Sequence, residues 1–500
     1  MPEIQTVDRA SLDLFIADLV TAGFEPVGAD GRTFEGPLHP ALAGETRSTT
    51  MRIGIRDGWP FVHPNVRVEG LKPSVHLTDR FLCLWRLGDD SYGWLRLETL
   101  NERISQWAER YRGRATEEDP VLDPQLYWSP FNGQVIATVD LRDVPYGNGG
   151  SGDLRAERDE LLLKIGRDGP LRVRWYGRDE MRHPPANLQM IEAGLKPDQA
   201  ANFRAELERV GHADGPNLIM VVWDTPAGEP NALVLGVSRE SRRAPVRAEA
   251  YEVARVDHDV LTLRAGPDAP SLLEKSVVIF GQGAVGSHLS ELLASSGVGR
   301  LHLVDGERLR PGDVVRHAGP RAAAGVPKAA AMDFVIRQRA PWVAVDWSPA
   351  TWSPAEIRPL LEGRSLVVDA VGEEPFTAQL SRLAQSAGLA LLSIALYRGG
   401  LVARARLFAP GGVAIHERTD GERFPLIPAG PREPVTTWET GCAAPVNNAA
   451  PTSVVSAAAL AARLGVEFLA GRETGSADIV EIYRALDEPG FDVVGTQRFE

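Results

Sequence analysis

Val277-Val278-Ile279-Phe280-Gly281-Gln282-Gly283-Ala284-Val285-Gly286-Ser287 decides the fold class of this 500-residue chain. Four consecutive apolar residues, three of them β-branched, read as a strand buried on both faces of a parallel sheet. The Gly-x-Gly-x-x-Gly turn then opens a helix carrying Leu289, Leu292 and Leu293. Gly281, Gly283 and Gly286 permit a tight turn and close backbone approach, and a helix N-terminus offers free N–H groups to phosphate oxygens. A second strand, Leu301-His302-Leu303-Val304, ends at Asp305, 24 residues after Gly281, where a carboxylate can accept from ribose hydroxyls. Up to this point a nicotinamide-dependent oxidoreductase fits as well as any other nucleotide enzyme.

The residues beyond Asp305 narrow the reading. Glu307, Asp313, Arg316-His317 and Gly325-Val326-Pro327-Lys328 follow in that order. This run resembles the ThiF-type adenylyltransferases of the ubiquitin-activating superfamily, in which an acidic pair, an Asn-x-x-Arg-Gln/His stretch and a lysine precede the next helix. Adenylation spreads negative charge over an α-phosphate and a departing pyrophosphate, and fixed cations stabilise it. The resemblance implies ATP as cofactor, Asp305 on the ribose, Asp313 in the same nucleotide-side set, and Arg316 and Lys328 on the phosphates. It also implies that Arg264, just before the first strand, reaches a nucleotide, often across a homodimer.

Leu366-Val367-Val368-Asp369-Ala370-Val371-Gly372 continues the likeness: a strand ending in an acid, as in the family's metal-proximal loop. The family usually has a second Asp where this chain has Gly372. Asp369 is therefore the expected Mg²⁺ ligand, with Glu373 or Glu374 as alternatives, because Mg²⁺ needs only one or two carboxylates besides phosphate oxygens. Further on, a Pro-rich stretch at 425 to 434 reads as a crossing loop, followed by Trp438-Glu439-Thr440-Gly441-Cys442-Ala443-Ala444-Pro445. In the family a cysteine so placed attacks the acyl-adenylate, which makes Cys442 the expected thioester nucleophile. A helix starting near Thr452 would favour its thiolate. The chain has two cysteines and no CxxC pairs, so neither a disulfide framework nor a structural zinc is expected.

The N-terminal residues are organised differently. Leu12, Phe15, Ile16, Leu19 and Val20 follow a helical period, and strands are expected near Thr33 to Glu35, Thr49 to Ile55 and Asn65 to Glu69. A second helix from Leu97 to Tyr111 comes after Arg80-Phe81-Leu82-Cys83-Leu84. Helix, meander, cysteine segment and helix resemble a short prokaryotic ubiquitin-conjugating fold over residues 8 to 113, with Cys83 as the receiving thiol. His63-Pro64-Asn65 lies 18 residues before Cys83, counted from Asn65, and is assigned to a strand; His76, seven residues before Cys83, is the candidate helper. Three parts follow: residues 1–113, α+β and conjugating-like; 114–264, a mixed α/β middle domain without assigned chemistry; 265–500, a Rossmann-like ThiF adenylation domain. In the middle part, Tyr146-Gly147-Asn148-Gly149-Gly150-Ser151-Gly152 lacks the Lys-Ser/Thr of a phosphate loop and reads as a flexible connection.

Bulk properties set outer limits. The composition is ordinary for globular domains, and a net charge of −13 argues against nucleic acid as a partner. The opening Met1-Pro2-Glu3-Ile4 lacks a basic region followed by an apolar run, and the longest apolar stretch, Val454 to Ala470, holds Arg463 and Glu467. A cytoplasmic protein without membrane partners is expected. The fusion of a conjugating-like with a ThiF-like domain resembles two-function enzymes of bacterial antiphage operons, the CBASS systems among them. Such a resemblance implies a protein substrate with an activatable C-terminus, either a ubiquitin-like protein or an operon-encoded nucleotidyltransferase. That substrate is joined to a target amine acceptor. The alternatives are a sulfur-carrier or small-molecule adenylyltransferase in which Cys83 is inert, and the oxidoreductase.

Overall fold

A computed structural model describes residues 8–27, 31–72, 77–78, 81–85, 92–113, 128–131, 135–178, 185–225, 228–241, 243–349, 353–412, 449–473, 475–487 and 489–499. The chain divides into two compact units between Asp257 and His258, rather than after Arg264. The first unit, 1–257, carries two separate sheets.

The first sheet lies between α1 (Arg9–Thr21) and α2 (Leu97–Arg112) in sequence. It contains β1 (Glu25–Val27), β2 (Thr33–Pro37), β3 (Thr50–Gly54), β4 (Asn65–Arg67), β5 (Leu77–Thr78) and β6 (Phe81–Leu82). Its order is β1-β2-β3-β4-β6-β5, antiparallel throughout. Asp8 caps α1 by accepting from the Ser11 amide. Leu12, Phe15 and Leu19 of α1 and Leu100, Ile104 and Trp107 of α2 share one core with Met51, Ile53 and Val66 of the sheet.

The second sheet closes on itself. Strands β7 (Ile136–Val139), β8 (Ser151–Arg158), β9 (Leu162–Gly166), β10 (Leu171–Gly177), β11 (Leu218–Asp224), β12 (Pro230–Ser238) and β13 (Arg247–Arg255) form a barrel ordered β10-β11-β12-β13-β7-β9-β8. Alternation along β11 explains two cores: Leu218, Met220 and Val222 fill the interior. Ile219 and Val221 meet Ile191 of α3 (Leu188–Ala193) and Phe203 of α4 (Pro197–Arg209) outside. The Gly-rich segment is not a loose connection. Gly147–Gly149 form a short 3₁₀ turn and Ser151-Gly152 begin β8. Gln199 Nε2 donates to the Gly150 and Gly177 carbonyls at 3.0 Å each, and Lys196 Nζ to Asn148 O at 2.7 Å. A Cβ on Gly152 would stand 2.9 Å from the Trp175 indole, so this glycine serves side-chain packing.

The second unit begins with α5 (His258–Thr262) and α6 (Ala269–Leu272). It continues through β14 (Ser276–Phe280), α7 (Ala284–Ser295), β15 (Arg300–Val304), α8 (Lys328–Arg339), β16 (Ala344–Ser348), α9 (Pro354–Leu361), β17 (Leu366–Asp369) and α10 (Glu374–Ser386). Then come β18 (Leu391–Tyr397), β19 (Val402–Phe408), α11 (Pro451–Leu469), β20 (Ala477–Ile482) and β21 (Gly495–Phe499). The sheet runs β16-β15-β14-β17-β18-β19-β20-β21; the first five strands are parallel and the rest antiparallel. This is a Rossmann-type arrangement whose strand order reverses between β14 and β17. Val277 and Ile279 face α7, α8 and α11, whereas Val278 and Phe280 face α9 and α10. The apolar stretch expected to fall short of a membrane span is α11, which by length and composition alone is sufficient to cross one. Its Ala457, Ala461 and Leu464 are buried in the core of this sheet.

Candidate functional site

The strand-order reversal leaves a crevice above the C-terminal ends of β14, β15 and β17. A cavity of about 330 Å³ occupies it, with Phe280 and Gly281, Val304 and Asp305, and Ala370 and Val371 on its walls. Gly306, Glu307, Gly283, Glu373 and Phe376 complete the lining.

Each glycine of the turn has its own reason. Gly281 has φ +88°, and a Cβ there would meet the Ala370 backbone at 2.9 Å. At Gly286 a Cβ would stand 2.0 Å from the Gly281 carbonyl oxygen, so α7 could not pack so close to β14. Nothing lies within 4 Å of a Cβ on Gly283, whose open side belongs to the cavity. The turn is braced from beneath by residues that the motif alone does not single out. Buried Gln282 donates through Nε2 to Gly281 O at 3.1 Å, and Ser290 Oγ donates to Gln282 Oε1 at 2.9 Å and to Gly286 O at 2.8 Å. A polar residue between two motif glycines, with a serine eight positions on, was the available signal.

Asp305 stands where the sequence placed it. Its Oδ2 accepts from the Gln282 amide at 2.7 Å and its Oδ1 from the Glu307 amide at 2.8 Å. Burial raises its pKa, and these two backbone hydrogen bonds oppose the shift. Each oxygen retains a lone pair able to accept from a hydroxyl.

Lys328 is buried at the first position of α8. Its Nζ lies 2.5 Å from Glu307 Oε2, on the cavity rim, and 3.8 Å from Asp313 Oδ2. The structure thus brings Asp305, Glu307, Asp313 and Lys328 together as one charged group. Arg316 follows the short turn Asp313–Val315, and its carbonyl lies 3.2 Å from His288 Nε2. Next to it, His317 is held neutral with its pKa lowered to about 4, first by burial and then by Lys328. Arg264 is exposed in the turn after α5 and is not among the residues lining the cavity.

Asp369 is turned inward. It is 1% exposed, its Oδ1 accepts from the Val371 amide at 3.0 Å, and its Oδ2 accepts from Thr377 Oγ1 and, at 3.5 Å, from Ser393 Oγ. Burial raises its pKa, with the Thr377 hydrogen bond opposing. The carboxylate that does line the cavity from this loop is Glu373. Phe376, on the next turn, supplies an aromatic wall with Phe280 at a centroid distance of 5.7 Å; the Glu-Pro-Phe start of α10 was its signal.

In the first unit, Cys83 is exposed immediately after β6. Trp85, two residues on, packs against His63 in a tilted arrangement, with ring centroids 5.2 Å apart, and meets Trp94 edge-on at 5.3 Å. Asn65 opens β4, opposite Gly54. His76, Cys442 and the 425–434 stretch lie outside the described residues.

Residues 262–480 match the ThiF family. The protein y4oA of Sinorhizobium fredii is 28% identical over 476 residues, covering 80% of this chain and 79% of its own. The ATP-dependent ubiquitin transferase-like protein Cap2 of Pseudomonas aeruginosa is 29% identical over 147 residues, 28% of this chain and 25% of its own. The SAMP-activating enzyme E1 of Haloferax volcanii is 27% identical over 154 residues, 30% of this chain and 56% of its own.

Proposed function

We propose that this chain uses ATP and Mg²⁺ to adenylate the C-terminal carboxylate of a protein, carries the acyl group as a thioester on Cys442 and then Cys83, and delivers it to an amine. The observation that carries the reading is the cavity at the β14–β17 reversal, with its glycine turn, Asp305 and the Lys328–Glu307 pair, inside a segment matching ThiF. Similarity to Cap2, an ATP-dependent ubiquitin transferase-like protein, supports it.

In the first step a carboxylate oxygen attacks the α-phosphorus and pyrophosphate departs with its electron pair. Lys328 exchanges Glu307 for a phosphate oxygen, and the N–H groups at the start of α7 face the same charge. In the second, the Cys442 thiolate attacks the acyl carbon and AMP leaves. The Cys83 thiolate then displaces Cys442, and an amine displaces Cys83, forming an amide. The exposure of Cys83 at a strand end suits a thiol that must be reached by both donor and acceptor. The protein substrate is a ubiquitin-like protein or an operon-encoded nucleotidyltransferase in a cytoplasmic antiphage system, and Arg264 reaches the nucleotide of the partner in a homodimer.

Intact-mass measurement under non-reducing conditions tests the relay, with ATP, Mg²⁺ and proteins encoded beside this gene, in wild type, Cys83→Ala and Cys442→Ala. A thiol-sensitive adduct that persists in Cys83→Ala and is lost in Cys442→Ala supports it. An adduct indifferent to both cysteines removes the conjugation steps and leaves adenylation alone.

A further inference from the structure

Arg316 and His317 belong to no helix or strand, so where Arg316 stands depends on what ties its segment down. One end is tied by Asp313. The Asp313 carbonyl accepts from the Arg316 amide at 3.0 Å and from the His317 amide at 3.1 Å, and the Asp313 carboxylate accepts from the Arg310 amide at 2.9 Å.

The other end is tied to α7, the helix that opens on the glycine turn. Ser287 Oγ accepts from the Ala318 amide at 3.2 Å and donates to the Ala284 carbonyl, also at 3.2 Å; Ser287 is 1% exposed. The next residue reaches the same segment from the other side of His317. His288 Nε2 donates to the Arg316 carbonyl at 3.2 Å, and because a carbonyl only accepts, this contact requires the hydrogen on Nε2. Behind the ring, Glu291 Oε2 lies 4.0 Å from His288 Nδ1, three residues along the same helix face, and Glu291 Oε1 is paired with Arg339 Nη1, in the last turn of α8, at 2.6 Å.

Two successive side chains of α7 thus bracket the peptide units on either side of His317. The His317 side chain adds no tie through its Nδ1, which is buried and has no hydrogen-bond partner among the described residues. The backbone of Arg316 is therefore fixed to the first turns of α7, whose N-terminal N–H groups face the nucleotide phosphates in the adenylation reading. Glycine turn and arginine are held at one spacing, and the Gly-x-Gly-x-x-Gly pattern specifies neither Ser287 nor His288.

We propose that His288 is a positioning residue for adenylation: by holding the Arg316 carbonyl against α7, with Ser287 on the following amide and Glu291 behind the ring, it sets Arg316 on the nucleotide phosphates. The inference rests on the adenylation reading and refines it.

The test is calorimetric binding to the full chain in Mg²⁺ of two probes, the α,β-methylene analogue of ATP and adenosine, the second measured by displacement of the first. The readout is the ratio of the two affinities within each variant. That ratio reports contacts to the phosphates, and a uniform loss of folded protein leaves it unchanged. Wild type is expected to favour the analogue, and Arg316→Ala to lose most of that preference. His288→Ala is expected to lower the preference by about fivefold, the worth of one hydrogen bond, and His288→Gln, whose amide donates from a similar place, to restore most of it. In an Arg316→Ala background, His288→Ala is expected to change nothing further, because the two act as one unit. An equal loss from His288→Ala in both backgrounds overturns the inference, as does full retention of the preference in the single variant. A preference untouched by Arg316→Ala also overturns it but leaves nucleotide binding standing, whereas a wild type that binds neither probe removes the adenylation reading together with this refinement.

Discussion

At the scale of single residues, two glycines of the same turn carry opposite consequences. Gly286→Ala forces a methyl group to within 2.0 Å of the Gly281 carbonyl, so the backbone must move. We expect a loss of about 2 kcal/mol in chemical denaturation of the 258–500 unit, in line with other overpacked sites. Gly283→Ala meets nothing within 4 Å, and stability should change by less than about 0.5 kcal/mol while affinity for ATP falls, because the methyl group enters the cavity. His317 adds a pH dependence. It is buried and neutral with its folded pKa near 4, below the value of about 6.5 of an unfolded histidine. The unfolded chain therefore takes up a proton first as pH falls. Stability is complete above about pH 6.5 and declines down to about pH 4, at roughly 1.4 kcal/mol per pH unit. Between pH 7 and pH 5 wild type should lose about 2 kcal/mol more than His317→Gln; equal losses in the two would exclude His317 as the cause.

At the scale of elements, the antiparallel end of the large sheet contains a buried ion pair. Arg404 of β19 and Asp478 of β20 are each 1% exposed, with Nε to Oδ1 at 2.9 Å. Burying both charges costs most of what their attraction returns, whereas removing one strands the other. Asp478→Ala should cost about 3 to 5 kcal/mol, and Arg404→Met with Asp478→Leu should recover to within about 1 kcal/mol of wild type. A double variant as unstable as Asp478→Ala would mean that the pair contributes net stability to the sheet. The helices and strands around the glycine turn could be read from sequence because their periods are unambiguous. The barrel could not. Strands β8 and β13 carry charged side chains along much of their length, which blurs the apolar alternation, and the barrel is closed by pairing β7 with β13, 116 residues further on, which no local pattern specifies.

At the scale of the molecule, the chain is two compact units divided at Asp257–His258. Calorimetry should therefore resolve two unfolding transitions. ATP at about 100 times its dissociation constant should stabilise one of them by about 2.7 kcal/mol and leave the other unmoved. Displacement of both by the nucleotide would refute independent unfolding. The sequence by itself determined the parallel βαβ core, the glycine turn and Asp305, because strand, turn and helix are local and each residue there answers to its immediate neighbours. It also put Lys328 at the start of a helix. Only the tertiary structure decided that Lys328 meets Glu307, that Asp369 turns inward to Thr377 and Ser393, and that Glu373 rather than Glu374 is left facing the cavity. The last two of those choices depend on Ser393 and Arg406, 24 and 37 residues beyond Asp369, and no local pattern specifies which side chain a distant strand will bring into reach.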